Sequence, residues 1–238
     1  MKINFTSEEP SFFDDLSRAD RRKFKRTITD SLGYVASRVQ GSIKLPEKMT
    51  VGFMDDPDIL AEALDEKLRV SLQAKPHLLD GGPILDGLMA HEASHLSDYA
   101  AANDCAGDSS QFSRIVKEGK AEKLGVEIGG EAYCESIWSG GLTGVERARA
   151  YDVLVGRWTT GVEVDEVSQP AAAEATGKKY SIYAAGYTLI TDVMRWTGVE
   201  SVLDLHAEPL DFFRDTLRAH YRNFSQIEVP LVASETRV

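Results

Sequence analysis

The spacing of apolar residues changes along the chain and predicts a helix, then a short sheet, then further helices. Across residues 9–40, apolar side chains recur every three or four positions, which is typical of a helix with one buried face. They are Phe24, Ile28, Leu32, Val35 and Val39. A short apolar run at 49–53 then predicts a strand, and residues 58–67 predict a short helix. Alternating apolar and polar residues at 68–73 predict a strand with one exposed face.

The second half of the chain is predicted to be mostly helical. Pro83 follows two glycines and suits the first turn of a helix. We predict helices at 83–103, 111–127, 130–139, 144–157, 181–197, 199–206 and 209–222, with a loop at 159–179. The pattern as a whole predicts an α+β, mainly helical fold with a small sheet before the helix at 83–103.

We expect the elements to form one domain, 1–238. It would consist of an N-terminal helical segment (1–45), a central part with the strands (46–130) and a helical C-terminal part (131–238). A chain of 238 residues with 42% hydrophobic and 27% charged residues is long and apolar enough to bury a core, which excludes a disordered chain.

The charge balance narrows the possible partners. Asp and Glu number 38 against 27 Lys and Arg, a net charge of −11, which argues against a general binder of nucleic acid or of an anionic membrane. Acidic residues flank the basic run at 21–26, so we interpret that run as a solvated helix face.

Two cysteines exclude a disulfide framework and every Cys-rich zinc module. With no signal-like apolar core and no membrane-spanning stretch, we expect a cytoplasmic protein without a membrane partner.

The residues that predict chemistry lie in the helix at 83–103, where His91, Glu92 and His95 form an HExxH motif. Helical residues four apart project from one face, so both imidazoles can reach a single metal ion. Glu92 follows His91 directly and so projects to one side of this face, where it can contact a water on that metal without being a ligand. Zn²⁺ suits two imidazoles and a carboxylate, with Glu92 as general base and then general acid. The alternative is two solvated histidines and a surface glutamate, but Leu85, Leu88 and Tyr99 share the histidine face and favour a buried site.

A third ligand must come from elsewhere in the chain. The longer motif of metzincins needs Gly and His where this chain has Asp98 and Ala101, so that class is excluded. We predict Glu118, on the next helix, as the ligand. Small residues beside it would let that helix approach the first one, and Glu122 could accept the free N–H of a ligand histidine. The alternative is that both glutamates belong to an exposed charged face together with Lys117, Lys120 and Lys123.

This layout resembles that of the gluzincin metallopeptidases, in which a Glu ligand follows HExxH on a second helix. More narrowly, it is similar to the bacterial family of predicted Zn-dependent proteases described as DUF2268. The similarity spans roughly 49–215 and includes an E-G-x-A-E helix and a Y-x-x-G-Y segment, matched here by Glu118, Gly119, Ala121 and Glu122, and by Tyr183, Gly186 and Tyr187. The chain departs from the family at Lys120, where an apolar residue is usual. The resemblance implies a zincin-like fold and a peptidase-like activity.

The tyrosines and histidines of the C-terminal helices could act at the site or in packing. Tyr183 could stabilise the oxyanion of a tetrahedral intermediate or could be a core aromatic residue, and a core role is our interpretation for Tyr187. His206 and His220 could each supply a second oxyanion donor, although we interpret both as surface or hydrogen-bonded core residues. The resemblance also implies that the strand at 68–73 is an edge strand that binds extended substrates.

The sequence therefore predicts a zinc-dependent hydrolase that cleaves peptide (amide) bonds in a peptide or protein substrate. His91, His95 and Glu118 would bind Zn²⁺, Glu92 and Tyr183 would act in catalysis, and Glu122 would orient a ligand. Two alternatives stay open: a non-catalytic zinc-containing module that binds peptides or proteins, and a zinc amidohydrolase acting on a non-peptide amide.

Overall fold

The computed structural model describes residues 2–7, 16–54, 61–64, 67–71, 81–100, 111–136, 147 and 181–224. In chain order the elements are β1 (Lys2–Ser7), α1 (Arg18–Val39), β2 (Lys48–Met54), β3 (Ala61–Leu64), β4 (Lys67–Ser71), α2 (Pro83–Ala100), α3 (Gln111–Ser136), α4 (Ser181–Thr197), a 3₁₀ turn (Val202–Leu205) and α5 (Leu210–Phe224). The predicted α+β, mainly helical class is confirmed. The predicted helix at 144–157, apart from residue 147, and the loop at 159–179 lie outside the described residues.

The four strands form one mixed sheet with the order β1-β2-β4-β3. β1 and β4 both run parallel to β2, and β3 runs antiparallel to β4. The predicted strands at 49–53 and 68–73 are confirmed as β2 and β4. Because β4 lies between β2 and β3, the prediction that 68–73 is an edge strand is wrong, and β3 occupies that edge.

β3 also contradicts the short helix predicted at 58–67. Its sequence, Ala-Glu-Ala-Leu, consists of strong helix formers, but pairing with β4 overrides that local preference. Ala63 lies opposite the buried Leu68, and Glu62 lies opposite Arg69, with which it forms an ion pair. Cross-strand pairs of this kind stabilise an edge strand even where its residues have a higher propensity for helix.

The core lies between the sheet and the helices. The apolar stripe of α1 is buried as predicted, and its Phe24 ring lies 5.2 Å from the ring of Phe53 on β2. β1, which was not predicted, places Phe5 in a stack on Phe53 at 6.0 Å. Ser31 of α1 donates a 2.6 Å hydrogen bond to Asp86 in the first turn of α2. The sheet and α1 together therefore support the N-terminal part of α2.

α3 packs against both α2 and α4. Gly130 has non-helical angles (φ 63°), so the predicted division into helices at 111–127 and 130–139 appears as a kink inside one segment. Gly119 was predicted to allow α3 close to α2, but it faces α4. A Cβ atom built on Gly119 would lie 2.3 Å from the carbonyl oxygen of Gly186. The two helix backbones cross at these glycines, and no other residue type fits there.

The C-terminal elements follow the prediction less closely. A 3₁₀ turn replaces the helix predicted at 199–206, while α4 and α5 are close to the helices predicted at 181–197 and 209–222. Glu127 on α3 accepts hydrogen bonds of 2.9 Å from the Ser201 hydroxyl and the Val202 N–H, so it ties the 3₁₀ turn to α3. Within the described residues, every helix is too short or too polar to cross a membrane.

The crossing of α3 and α4 can be tested by adding one methyl group. Gly119→Ala should lower the free energy of unfolding by about 1–3 kcal/mol, because the new Cβ overlaps the backbone of α4. The matched control is Gly33→Ala on α1, where a Cβ meets nothing within 4 Å. That change should raise the free energy of unfolding by up to about 1 kcal/mol, since alanine favours the helix more than glycine does. Urea unfolding of both variants measures the difference, and equal effects would contradict the close crossing.

Candidate metal centre

α2 and α3 bring together the three side chains that the sequence predicts as metal ligands. His91 and His95 lie one turn apart on α2 with their Nε2 atoms 3.2 Å apart. The Glu118 Oε2 atom of α3 is 3.3 Å from His95 Nε2 and 3.6 Å from His91 Nε2. Among the described residues, these three form a group of side chains whose donor atoms are close enough to hold one metal ion.

The size of this triangle fits a tetrahedral metal site. Zn²⁺ bonds of about 2.0–2.1 Å in tetrahedral geometry place two ligand atoms roughly 3.3 Å apart. The three observed separations, 3.2, 3.3 and 3.6 Å, are close to that edge length. Glu118 Oε2 is buried and has no hydrogen-bond partner among the described residues. Its ion-pair partners are the two imidazoles, at 3.3 and 3.6 Å, and a cation bound by the three atoms would offset the cost of burying this carboxylate.

Glu92 is buried beside the two histidines, with 4% of its surface exposed. The backbone of Ala63, on the edge strand β3, lies near its carboxylate and favours the ionised form, which lowers the pKa of Glu92. The Oε2 atom has no hydrogen-bond partner among the described residues. Burial raises the pKa of Glu92, and the charges of His91 and His95 oppose the rise. The arrangement leaves one oxygen of a fixed carboxylate available to exchange a proton.

Glu122 and Tyr133 contact the other side of the His91 ring. Glu122 Oε1 is 3.3 Å from His91 Nδ1, as predicted for a residue that orients a ligand, and the Tyr133 hydroxyl is 3.4 Å from the same nitrogen. Glu122 is 1% exposed and Lys120 is 5% exposed. The alternative in which this part of α3 is an exposed charged face is therefore wrong.

Tyr133 was not predicted from the sequence. Its position relative to α2 depends on the kink at Gly130, so the helical periodicity that places Glu118 and Glu122 does not predict where Tyr133 lies. The available signal is the spacing of Gly125, Gly129 and Tyr133, every four residues along α3. Such a pattern predicts a groove on one helix face, but it does not say what fills it.

The charges of the site are strongly coupled. Burial would lower the pKa of both His91 and His95, but contacts with the surrounding glutamates, Glu118 foremost, outweigh burial and raise both pKa values. Burial would raise the pKa of Glu118, but the two imidazoles hold it well below its usual value. The metal-free site therefore retains protons on its histidines, while Glu118 stays ionised.

The two tyrosines of α4 differ in position. The Tyr183 ring lies 6.3 Å from the His91 ring, at the site. Burial, then Glu118 and Glu92, raises the pKa of Tyr183, so its hydroxyl stays protonated and able to donate. Tyr187 lies under the Lys123 ammonium, which is 5.1 Å from the ring centroid. Tyr183 therefore lies at the candidate site, whereas Tyr187 packs against Lys123.

The two C-terminal histidines, His206 and His220, also differ in their surroundings. His220 stacks on Trp196 at 4.7 Å, in accord with a packing role. The prediction that His206 is a surface or hydrogen-bonded core residue is wrong, because both its ring nitrogens are buried without a partner among the described residues. Burial, then the charges of Lys120 and His95, lowers the pKa of His206 to about 3. The 3₁₀ turn, tied to α3 by Glu127, brings His206 to this position.

Comparison of the chain with protein-family models, with curated proteins and with solved structures finds no match.

The raised pKa values of His91 and His95 predict how metal binding depends on pH. Because zinc binds neutral imidazoles, it must displace protons that these residues hold above their usual titration range. Zinc affinity should therefore rise with pH through neutrality, and binding at pH 7 should release protons. Isothermal titration calorimetry in buffers of different ionisation enthalpy measures the released protons and a stoichiometry of one.

His95→Ala should abolish this binding, and His220→Ala, which changes a histidine packed on Trp196, should leave it unchanged. Zinc retained by His95→Ala, or bound without proton release by the wild type, would contradict the assigned ligands.

Proposed function

We propose that the chain is a zinc-dependent hydrolase that cleaves peptide bonds, with a zincin-like arrangement of its edge strand and metal-site helices. The observation that carries this proposal is the triangle of His91 Nε2, His95 Nε2 and Glu118 Oε2, with separations of 3.2–3.6 Å beside a buried glutamate. Three protein ligands leave one position of a tetrahedral ion open, which is typical of catalytic rather than structural zinc sites.

Zn²⁺ bound by these three residues would supply Lewis-acid chemistry, since it polarises a carbonyl group and lowers the pKa of water. The protein contributes the geometry. His91 is held through Nδ1 by Glu122, so its Nε2 faces the centre of the triangle. His95 and Glu118 complete the set from α2 and α3.

Glu92 is the group that moves the proton. It would accept a proton from the water that attacks the carbonyl carbon, and donate that proton to the nitrogen as the C–N bond breaks. Its raised pKa suits both steps, because a carboxylate of higher pKa is a stronger base at neutral pH. Burial of Glu92, which is 4% exposed, limits the rotamers available to its side chain.

The surroundings of the site favour an extended peptide as the substrate. β3 has a strand on one side only among the described residues, and the Ala63 contact places this edge beside Glu92. An extended peptide can pair with such an edge through its backbone. Tyr183 and His206 are neutral side chains near the same histidines, where they could donate hydrogen bonds to the carbonyl oxygen under attack.

Glu92→Gln separates catalysis from metal binding. The amide keeps the size of the side chain but cannot accept the proton, so the rate of peptide cleavage should fall by roughly 10²–10⁴-fold while zinc remains bound at one equivalent. Cleavage of a mixed peptide library, followed by mass spectrometry, together with zinc analysis, measures both quantities.

Glu131→Gln is the matched control, because Glu131 is an exposed carboxylate on α3. It should retain both zinc and activity. A wild-type protein that binds zinc but cleaves no peptide would contradict the proposed function in favour of a binding module or of a hydrolase for another amide. Undiminished cleavage by Glu92→Gln would contradict the role of Glu92.

A further inference from the structure

Tyr133 occupies a slot that glycines from two helices create. Its side chain is fully buried, and its ring faces Gly87 of α2 and Gly125 and Gly129 of α3. A Cβ atom on Gly87 or Gly125 would lie 2.4 or 2.6 Å from a ring atom of Tyr133. A Cβ atom on Gly129 would lie 2.6 Å from the Cβ of Tyr133 and 2.5 Å from the Pro83 carbonyl oxygen. Glycine is unfavourable inside a helix, so three of them around one ring indicate that the ring must sit at this place.

The slot directs the Tyr133 hydroxyl to the back of the metal site. The hydroxyl oxygen is 3.4 Å from His91 Nδ1, and Glu122 Oε1 is 3.3 Å from the same nitrogen. The Tyr133 hydroxyl and the Glu122 carboxylate thus meet at the same nitrogen, and burial followed by the charge of Glu122 raises the pKa of the hydroxyl. The hydroxyl therefore stays protonated, and the neighbouring Glu122 carboxylate is an acceptor to which it can donate a hydrogen bond.

This arrangement determines which nitrogen of a neutral His91 carries the proton. When Tyr133 donates a hydrogen bond to Glu122, the Tyr133 hydroxyl and the Glu122 carboxylate both present acceptor oxygens to His91 Nδ1. A proton on Nδ1 satisfies both, whereas a proton on Nε2 would leave three acceptors facing one another. The Nδ1–H form leaves the lone pair of Nε2 directed at His95 and Glu118.

We propose that Tyr133 is a positioning residue, which holds Glu122 against His91 and thereby keeps the His91 proton on Nδ1. The inference rests on the function proposed above, since it concerns the orientation of one of its metal ligands. It extends the site by a residue that acts through Glu122 and His91. A phenylalanine would fill the same slot, so the ring alone does not require the hydroxyl, and the hydroxyl can be tested by itself.

The experiment compares Tyr133→Phe with the wild type by two readouts. The first is zinc affinity, measured by competition with a chelator, and we expect the variant to bind roughly tenfold more weakly. The second is the ¹⁵N NMR signal of the His91 ring in metal-free protein, at a pH where the imidazole is neutral. The wild type should show the proton on Nδ1 alone, and the variant should show a mixture of both forms.

Three controls separate this role from packing. Tyr187→Phe removes a hydroxyl from a tyrosine that packs under Lys123, and it should change neither readout. Tyr133→Phe should weaken zinc binding much less in a Glu122→Gln background, because the hydroxyl acts through Glu122. Urea unfolding of metal-free Tyr133→Phe should remain a single cooperative transition, which shows that the slot is still filled.

A variant with the zinc affinity and the His91 proton position of the wild type would overturn the proposal. If the wild type binds no zinc, the proposed function fails, but the proton position of metal-free His91 still decides the role of Tyr133. If zinc binds and no peptide is cleaved, the assigned peptidase activity is wrong, but zinc affinity and the His91 proton position still test the role of Tyr133.

Discussion

The burial of ionisable side chains between α2 and α3 is the constraint on which the rest of this structure depends. Glu92, Glu118 and Glu122 surround two imidazoles, so the cluster carries three negative charges when both histidines are neutral. Uncompensated charge of this kind is costly in a protein interior. Two protons on the histidines, or one dication, would reduce it to a single negative charge. The raised pKa values of His91 and His95 and the proposed affinity for a metal thus have the same cause.

Close approach of the helices makes this burial possible. α3 meets α4 backbone to backbone at Gly119 and Gly186, which lie beside Glu118 and within one turn of Tyr183. On the other side, α3 meets α2 around the ring of Tyr133. Each contact removes side-chain volume at a crossing, and each sets the position of a polar group at the site. The stability lost to helical glycine is therefore linked to the geometry of the centre.

The sequence predicts the parts of the site that depend on a single helix. His91 and His95 share a face because the helical period requires it. Glu118 was expected on the next helix, but the small residue beside it, Gly119, faces α4 and not α2. Parts that depend on tertiary contacts were not predictable in the same way. β3 consists of helix-forming residues whose strand arises from pairing with β4, and the Tyr133 slot combines glycines of two helices with a kink. His206, whose ring nitrogens are buried, follows a turn that Glu127 holds, and nothing in its local sequence shows that contact.

The central claim is that His91, His95 and Glu118 bind one metal ion. The most direct measurement is anomalous diffraction at the zinc absorption edge from crystals of the zinc-loaded wild type. We expect one peak within bonding distance, about 2.0–2.2 Å, of His91 Nε2, His95 Nε2 and Glu118 Oε2. A peak bound by other residues, or zinc-loaded crystals without a peak between α2 and α3, would contradict it.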